Sequence, residues 1–111
     1  MNIVLPYPPS ANVLWRNMRG RMVESDAARD FKYEVLIRCR ERLIEPICGD
    51  VSVTLRVFRP RRSGDLDNRI KATLDALNGL AWHDDSQVAE IHAFRDYDRD
   101  NQRVEVEVME V

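Results

Sequence analysis

Long apolar runs are missing from this chain. No stretch approaches the roughly 20 residues that span a bilayer, and the start MNIVLPYPPS has no basic residues leading into an apolar segment. Membrane insertion and export are therefore not expected, and the protein is expected in the cytoplasm. Cysteine is scarce as well. Cys39 and Cys48 form neither a CxxC pair nor part of a four-ligand zinc set, so they read as reduced thiols rather than a disulfide framework. His83 and His92 have no third nitrogen or sulfur ligand at useful spacing, which argues against a zinc site. Repeats, low-complexity tracts and linkers are absent too. With 111 residues, 44% hydrophobic and 32% charged, the chain reads as one soluble globular domain over residues 1–111.

The net charge of −2 does not by itself suggest a polyanion as partner, but the distribution of charge does. Residues 1–64 carry 12 Lys and Arg against 7 Asp and Glu, while residues 65–111 carry 5 against 12. Arg16, Arg19 and Arg21 cluster in one segment, and Arg56, Arg59, Arg61 and Arg62 in another. Such segregation allows one surface to hold a polyanion and another a cation.

Periodicity supplies the elements. Residues 2–6 predict a short strand ended by Pro6, Pro8 and Pro9. Residues 7–23 read as a long loop rich in turn formers, and such loops are commonly functional. Ser25 is placed to cap a helix in which Ala28, Phe31, Val35, Cys39 and Leu43 recur on one face to about residue 44, where Pro46 stops it. Val51, Val53, Leu55 and Val57 alternate with polar residues, which predicts a half-buried strand. Ile70, Leu74 and Leu77 mark a second helix, with Asp67 as its N-cap and Asn78-Gly79 as its stop. Strands follow at 87–95 and around Val104, Val106 and Val108, expected to form an antiparallel hairpin. Strand, helix, strand across 51–95 suggests a right-handed crossover. The fold class is α+β: a small mixed β-sheet of about four strands with two helices.

The stretch RRSGDLDNRIK crowds like charges at the mouth of that second helix. Asp65 and Asp67 lie near the positive end of the helix dipole, and Lys71 stands one turn above Asp67. Further on, WHDDSQV brings Asp84-Asp85 just before the next strand. A parallel return would put this second acidic cluster at the opposite end of the sheet. A bent or antiparallel return would join the two, and the chemistry favours the latter. Three carboxylates brought close repel one another unless a cation lies between them, and Mg²⁺ or Mn²⁺ suits oxygen ligands and phosphate substrates. Asp65, Asp67 and Asp85 as ligands with Lys71 as electrostatic helper would make a phosphodiester-cleaving centre. A helix cap, a turn residue and a solvated acidic pair would present the same residues with no chemistry.

Those two motifs carry a resemblance. RRSGDLDNRIKATLDALNGLAWHDDSQV, with D-x-D-N-x-x-K followed by W-x-D-D-x-Q-V, is similar to the signature of RusA-type Holliday-junction resolvases. The opening LPYPPSANVLWRNMRGR resembles that family's start, so the likeness covers nearly the whole chain. The resemblance implies a RusA-like domain and a Mg²⁺-dependent endodeoxyribonuclease, with Mn²⁺ as a possible substitute, of bacterial or phage origin. It implies a homodimer that nicks paired strands of a four-way DNA junction. Asp65, Asp67 and Asp85 match the family's metal-binding aspartates and Lys71 its catalytic lysine, with Asn68 in a supporting role.

A junction has approximate two-fold symmetry, so a C₂ dimer with one site per subunit supplies both cuts. Arg16, Arg19, Arg21, Arg59, Arg61, Arg62 and Arg69 are the candidate phosphate contacts. Trp15 and Met18 are candidates for a wedge against unstacked bases, with an ordinary core or dimer contact as the other reading of Trp15. Ser63-Gly64 stands where relatives carry a longer basic run, which implies weaker or more salt-sensitive junction binding.

Alternatives are a non-catalytic branched-DNA-binding protein of the same fold and a flap nuclease without junction preference. An aspartate phosphatase fits less well, since only 46 residues follow Asp65. Asp96, Asp98, Asp100 and Glu107 nearly fit a calcium loop, but Asn101 stands where that loop needs glycine, and the flanks alternate like strands.

Overall fold

Alternation of Val51, Val53, Leu55 and Val57 makes the central element. In the computed structural model, which describes residues 1–10, 14–62 and 66–111, strand β4 (Val51–Arg59) buries each of these four side chains completely. Around it lie β1 (Asn2–Pro6), β5 (Val88–Tyr97) and β6 (Arg103–Glu110), in the sheet order β1-β6-β4-β5. The neighbours of β4 differ in direction: β6 runs antiparallel to it and β5 parallel. One face of this mixed sheet is covered by α1 (Asp26–Glu41) and α2 (Asp67–Leu77). Their apolar stripes, Phe31, Val35 and Cys39 from α1 and Ala72, Ala76 and Leu77 from α2, close one core with Leu5, Leu55, Val106 and Trp82. The expected α+β class is what the chain adopts.

The helix signals act as anticipated, with one difference each. The Ser25 hydroxyl accepts from the Ala28 N–H at 3.2 Å, capping α1. The helix ends at Glu41, and Leu43 turns out at φ 53° to stand 86% exposed, so it is not part of the buried stripe. In α2 the N-cap is Leu66, which makes no side-chain cap, and Asp67 is the first helical residue rather than the cap. Asn78 ends α2, and Gly79 follows at φ 85°, a conformation an L side chain adopts only under strain.

Two expectations about connectivity are corrected. β5 and β6 do not form a hairpin, because β4 lies between them. The return after α2 is parallel, with Val51 beside Val88 and Arg59 beside Tyr97, so the bent or antiparallel return does not occur. A third correction concerns residues 7–23. Part of that segment is a two-stranded antiparallel hairpin, β2 (Trp15–Met18) with β3 (Arg21–Glu24). Met18 pairs with Arg21 across a two-residue turn, Arg19-Gly20, with φ values of 53° and 79°. Positive φ at both turn positions matches the twist of the strands it joins.

Candidate active site

α2 and β5 shape a cleft of about 430 Å³ lined by Asp67, Ile70, Lys71, Leu74, Asp75, Asp85, Val88 and Ile91. Three of the four residues expected to carry the chemistry, Asp67, Lys71 and Asp85, therefore share one depression. Asp65, with Ser63 and Gly64, lies outside the described residues. Among the described residues no three His, Cys, Asp or Glu side chains converge as a metal cluster.

Topology explains why the acids come no closer. α2 begins after the end of β4, and Asp85 precedes the start of β5, at the other end of a parallel pair. The 11 residues of α2 rise about 16 Å between those ends, whereas one Mg²⁺ gathers oxygens within a shell of roughly 2.1 Å. Within one chain, Asp67 and Asp85 belong to opposite ends of the cleft.

Each acid is nevertheless left available. Asp67 is exposed in the first turn of α2, where free N–H groups and the helix dipole favour negative charge, and it is not consumed as a cap. Lys71, one turn on, pairs with Asp75 at 3.4 Å rather than with Asp67. Lys71 is exposed and Asp75 half-buried in that pair, which is weakly held.

The adjacent acids Asp84 and Asp85 divide their roles. Asp84 caps a single 3-10 turn, Asp85–Gln87, its Oδ2 accepting from the Ser86 N–H at 3.0 Å. Hydrogen bonding from Ser86 holds the Asp84 carboxyl below its ordinary pKa. Asp85 makes no such bond and stays exposed to the cleft. Among the described residues neither the Asp67 nor the Asp85 carboxylate has a protein partner, so each offers the cleft free carboxylate oxygens of the kind Mg²⁺ or Mn²⁺ takes, from opposite ends of it.

Two residues of the second motif hold this loop, and sequence reasoning assigned neither of them a role. Trp82 is fully buried and bridges to Ile47 and Asn78, which plugs the base of the loop into the core. The Gln87 amide uses its whole hydrogen-bonding capacity. Its Oε1 accepts from the backbone N–H groups of His83 at 2.7 Å and Asp84 at 2.9 Å. Its Nε2 donates to the carbonyls of Ile47 at 2.7 Å and Gly49 at 2.8 Å. This side chain ties the 82–88 loop to the segment before β4 and so sets where Asp85 stands. Cys48, also on that segment, brings its thiol to 3.8 Å from His83 Nε2. That is a two-residue contact, and both cysteines are free, as expected.

The arginines separate into two groups. Arg16, Arg19 and Arg21 stand exposed on the β2–β3 hairpin, and Arg61 and Arg62 stand exposed after β4, with Arg62 over the Tyr97 ring at 5.1 Å. Arg59, in contrast, is buried, its Nε directed to the Asp96 carbonyl at 3.4 Å. Arg69 donates to the Pro8 carbonyl at 2.7 Å and lies over the Tyr7 ring, tying the start of α2 to the segment after β1. Asn68 beside it is half-buried. In the calcium-like loop, Asp98 already accepts from the N–H groups of Asp100 and Asn101 and pairs with Arg103 at 2.9 Å.

An acid-and-lysine cleft in a chain that also exposes Arg16, Arg19, Arg21, Arg61 and Arg62 fits an enzyme that cuts a nucleic-acid backbone. The chain belongs to the family described as Endodeoxyribonuclease RusA, whose model matches residues 6–109. It is 34% identical over 92 residues to the crossover junction endodeoxyribonuclease RusA of Escherichia coli K12, covering 80% of this chain and 77% of that one. Identity and coverage are the same for the crossover junction endodeoxyribonuclease of Enterobacteria phage 82. The protein YqaN of Bacillus subtilis 168 is 30% identical over 119 aligned positions, covering 86% of this chain. The activity that follows is endodeoxyribonuclease activity on DNA, and no described helix is long and apolar enough to cross a membrane.

Proposed function

We propose that this endodeoxyribonuclease is a Mg²⁺-dependent resolvase of four-way DNA junctions. It would act in recombination and repair, in the cytoplasm of a bacterium or of a phage-infected cell. The observation that carries the reading is the pair of unspent carboxylates, Asp67 and Asp85, lining one cleft with Lys71 in a chain of the RusA family. Asp65, Asp67 and Asp85 would hold Mg²⁺, or Mn²⁺ in its place, and the ion would supply charge neutralisation for the phosphodiester. The Lys71 ammonium would stabilise the negative charge that grows on the phosphoryl oxygens during displacement. Arg16, Arg19, Arg21, Arg61 and Arg62 would hold backbone phosphates and fix the register of the duplex arms. Arg59 and Arg69, first expected as phosphate contacts, would instead brace the walls of the site from inside the fold, beside Asn68 in its expected supporting role.

Homodimerisation has a reason in the topology. Strand β5 has a free edge ten residues long, and it exposes Ile91, Phe94 and Tyr97. Such an edge is a template for pairing with another strand. A two-fold axis that pairs two β5 edges antiparallel would carry Asp85 of the partner subunit to the end of the sheet where Asp67 opens α2. Each dimer would then hold two composite sites related by the same two-fold that relates the strands of a junction.

The test is cleavage of labelled four-way junction, duplex and flap DNA by purified protein, with and without Mg²⁺. The expected result is symmetric nicking of the junction only when metal is present, with Asp85→Asn binding junction without cutting it. Equal cutting of flaps and junctions would make it a branched-DNA nuclease without junction preference. Normal cutting by Asp85→Asn would remove that residue from the site.

A further inference from the structure

Of the β2–β3 hairpin the reading above uses the arginines alone, and its composition is unusual for an exposed element. Every residue from Trp15 to Met22 is exposed, and this stretch carries Arg16, Arg19 and Arg21 with no acidic residue. It also exposes three large apolar side chains: Trp15 is 50%, Met18 46% and Met22 65% accessible. Trp15 is neither core nor loop. It opens β2 immediately after the buried Leu14, whose carbonyl accepts from the Ser25 N–H at 2.8 Å and closes the base of the hairpin. The nearest acids are engaged, Glu24 with Lys32 at 3.2 Å and Asp26 with Arg16 at 3.7 Å and with Arg29.

Register divides the hairpin into two faces. Cross-strand partners share a face, so Trp15, Asn17, Met22 and Glu24 lie on one side and Arg16, Met18, Arg21 and Val23 on the other. The Trp15 side looks onto a recess walled by Leu14, Ala28, Phe31 and Ala72 and bounded by Asp75. Asp75 also lines the active-site cleft. Asp75 is thus common to the recess beside Trp15 and to the cleft, while Arg16 and Arg21 lie on the other face of the hairpin and Arg19 in its turn.

We infer that the β2–β3 hairpin is a binding element for unpaired bases, with Trp15 as the stacking platform and Arg16, Arg19 and Arg21 as contacts to the flanking phosphates. An aromatic face within a cationic strip is the combination by which proteins hold splayed nucleotides, because every base has a face to stack and every linkage a charge to neutralise. A purely duplex ligand would use the arginines and leave the ring in water. Bases at the centre of a branched molecule can leave their stack at least cost, so the hairpin would favour the branch point over the arms. This inference rests on the proposed junction substrate, and it adds which residues sense the branch.

Tryptophan fluorescence tests it directly. The chain has two tryptophans, and Trp82 is fully buried, so quenching on binding reports Trp15. The probes are a four-way junction and a linear duplex of the same length, titrated in Ca²⁺ without Mg²⁺ so that no cleavage is needed for the reading. Junction is expected to quench the emission and duplex to leave it nearly unchanged, and Trp15→Phe should show no quenching while keeping most of the junction affinity. Trp15→Ala should weaken junction binding about tenfold more than duplex binding, the scale of one lost base–aromatic stack. Equal quenching by both DNAs, or an equal loss of both affinities in Trp15→Ala, would overturn the inference. So would an emission change on raising protein concentration without DNA, since Trp15 would then be covered by a second copy of the chain. Failure to nick a junction in Mg²⁺ would instead count against the functional reading, and the two failures are read in separate experiments.

Discussion

Mixing two inactive variants should restore activity if each site is built from two subunits. Asp67→Asn removes an acid at one end of the cleft and Asp85→Asn an acid at the other. In a composite arrangement, a heterodimer of the two holds one site with both lesions and one site with none. Random pairing in equal amounts makes half of the dimers mixed, and each mixed dimer keeps one of its two sites. Roughly a quarter of the wild-type site number should therefore return. The magnitude rests on the parallel register of β4 and β5 and on the about 16 Å rise of α2, which keep Asp67 and Asp85 of one chain from sharing a metal shell. The assay is co-refolding of the two variants followed by incubation with labelled junction and Mg²⁺. Because each mixed dimer has a single working site, the expected product is a singly nicked junction, with few fully resolved duplexes. If both acids of one site came from the same chain, every site in the mixture would carry one lesion. Absence of any nicking above that of the separate variants would refute the reasoning.

Gln87→Ala should lower stability by roughly 2–4 kcal/mol, since four hydrogen bonds lose their partner. It should also raise the Mg²⁺ concentration needed for half-maximal nicking, because Asp85 loses its fixed position; urea unfolding and a Mg²⁺ titration measure the two effects. Gln87→Glu should not rescue either property, as a carboxylate has no N–H for the Ile47 and Gly49 carbonyls. The bond from Arg103 holds Asp98 below its ordinary pKa, so Asp98 contributes stability above about pH 3.8 that is lost as the pH falls through its folded value. Asp98→Asn should flatten the acid limb of the melting temperature below about pH 4; an unchanged limb would show that the pair contributes nothing there.

What the sequence made legible was whatever depends on local chemistry. Ser25 before an acidic first turn located α1, alternation of valines located β4 and β6, and Asn78-Gly79 located the end of α2. Both acid-bearing motifs were visible because their spacing is short and specific. The hairpin was not, because all but two of the residues in WRNM and RMVE are exposed and the pairs lack the apolar alternation that reveals a half-buried strand. Only the Arg19-Gly20 turn signalled it. Sheet order was also hidden, since nothing local to β5 or β6 says that β4 lies between them. Residue type could not distinguish Arg61 on the surface from Arg59 in the interior, nor Leu43 in solvent from Val35 in the core. Gln87 was in the motif, but its purpose depends on carbonyls 38 and 40 positions away.

The position of β6 has a further consequence. This strand comes after every other element, yet it is inserted between β1 and β4. Until residues 103–110 are available, β1 has no neighbour in the sheet and β4 lacks one of its two. Assembly must wait for contacts that span almost the whole chain, with Asn2 meeting Glu107, and such distant closures make for slow folding. A nascent chain halted before that last strand would leave one long edge of β4 unpaired and β1 outside the sheet, and would be a ready target for proteases, so a cell should contain either the folded nuclease or none of it.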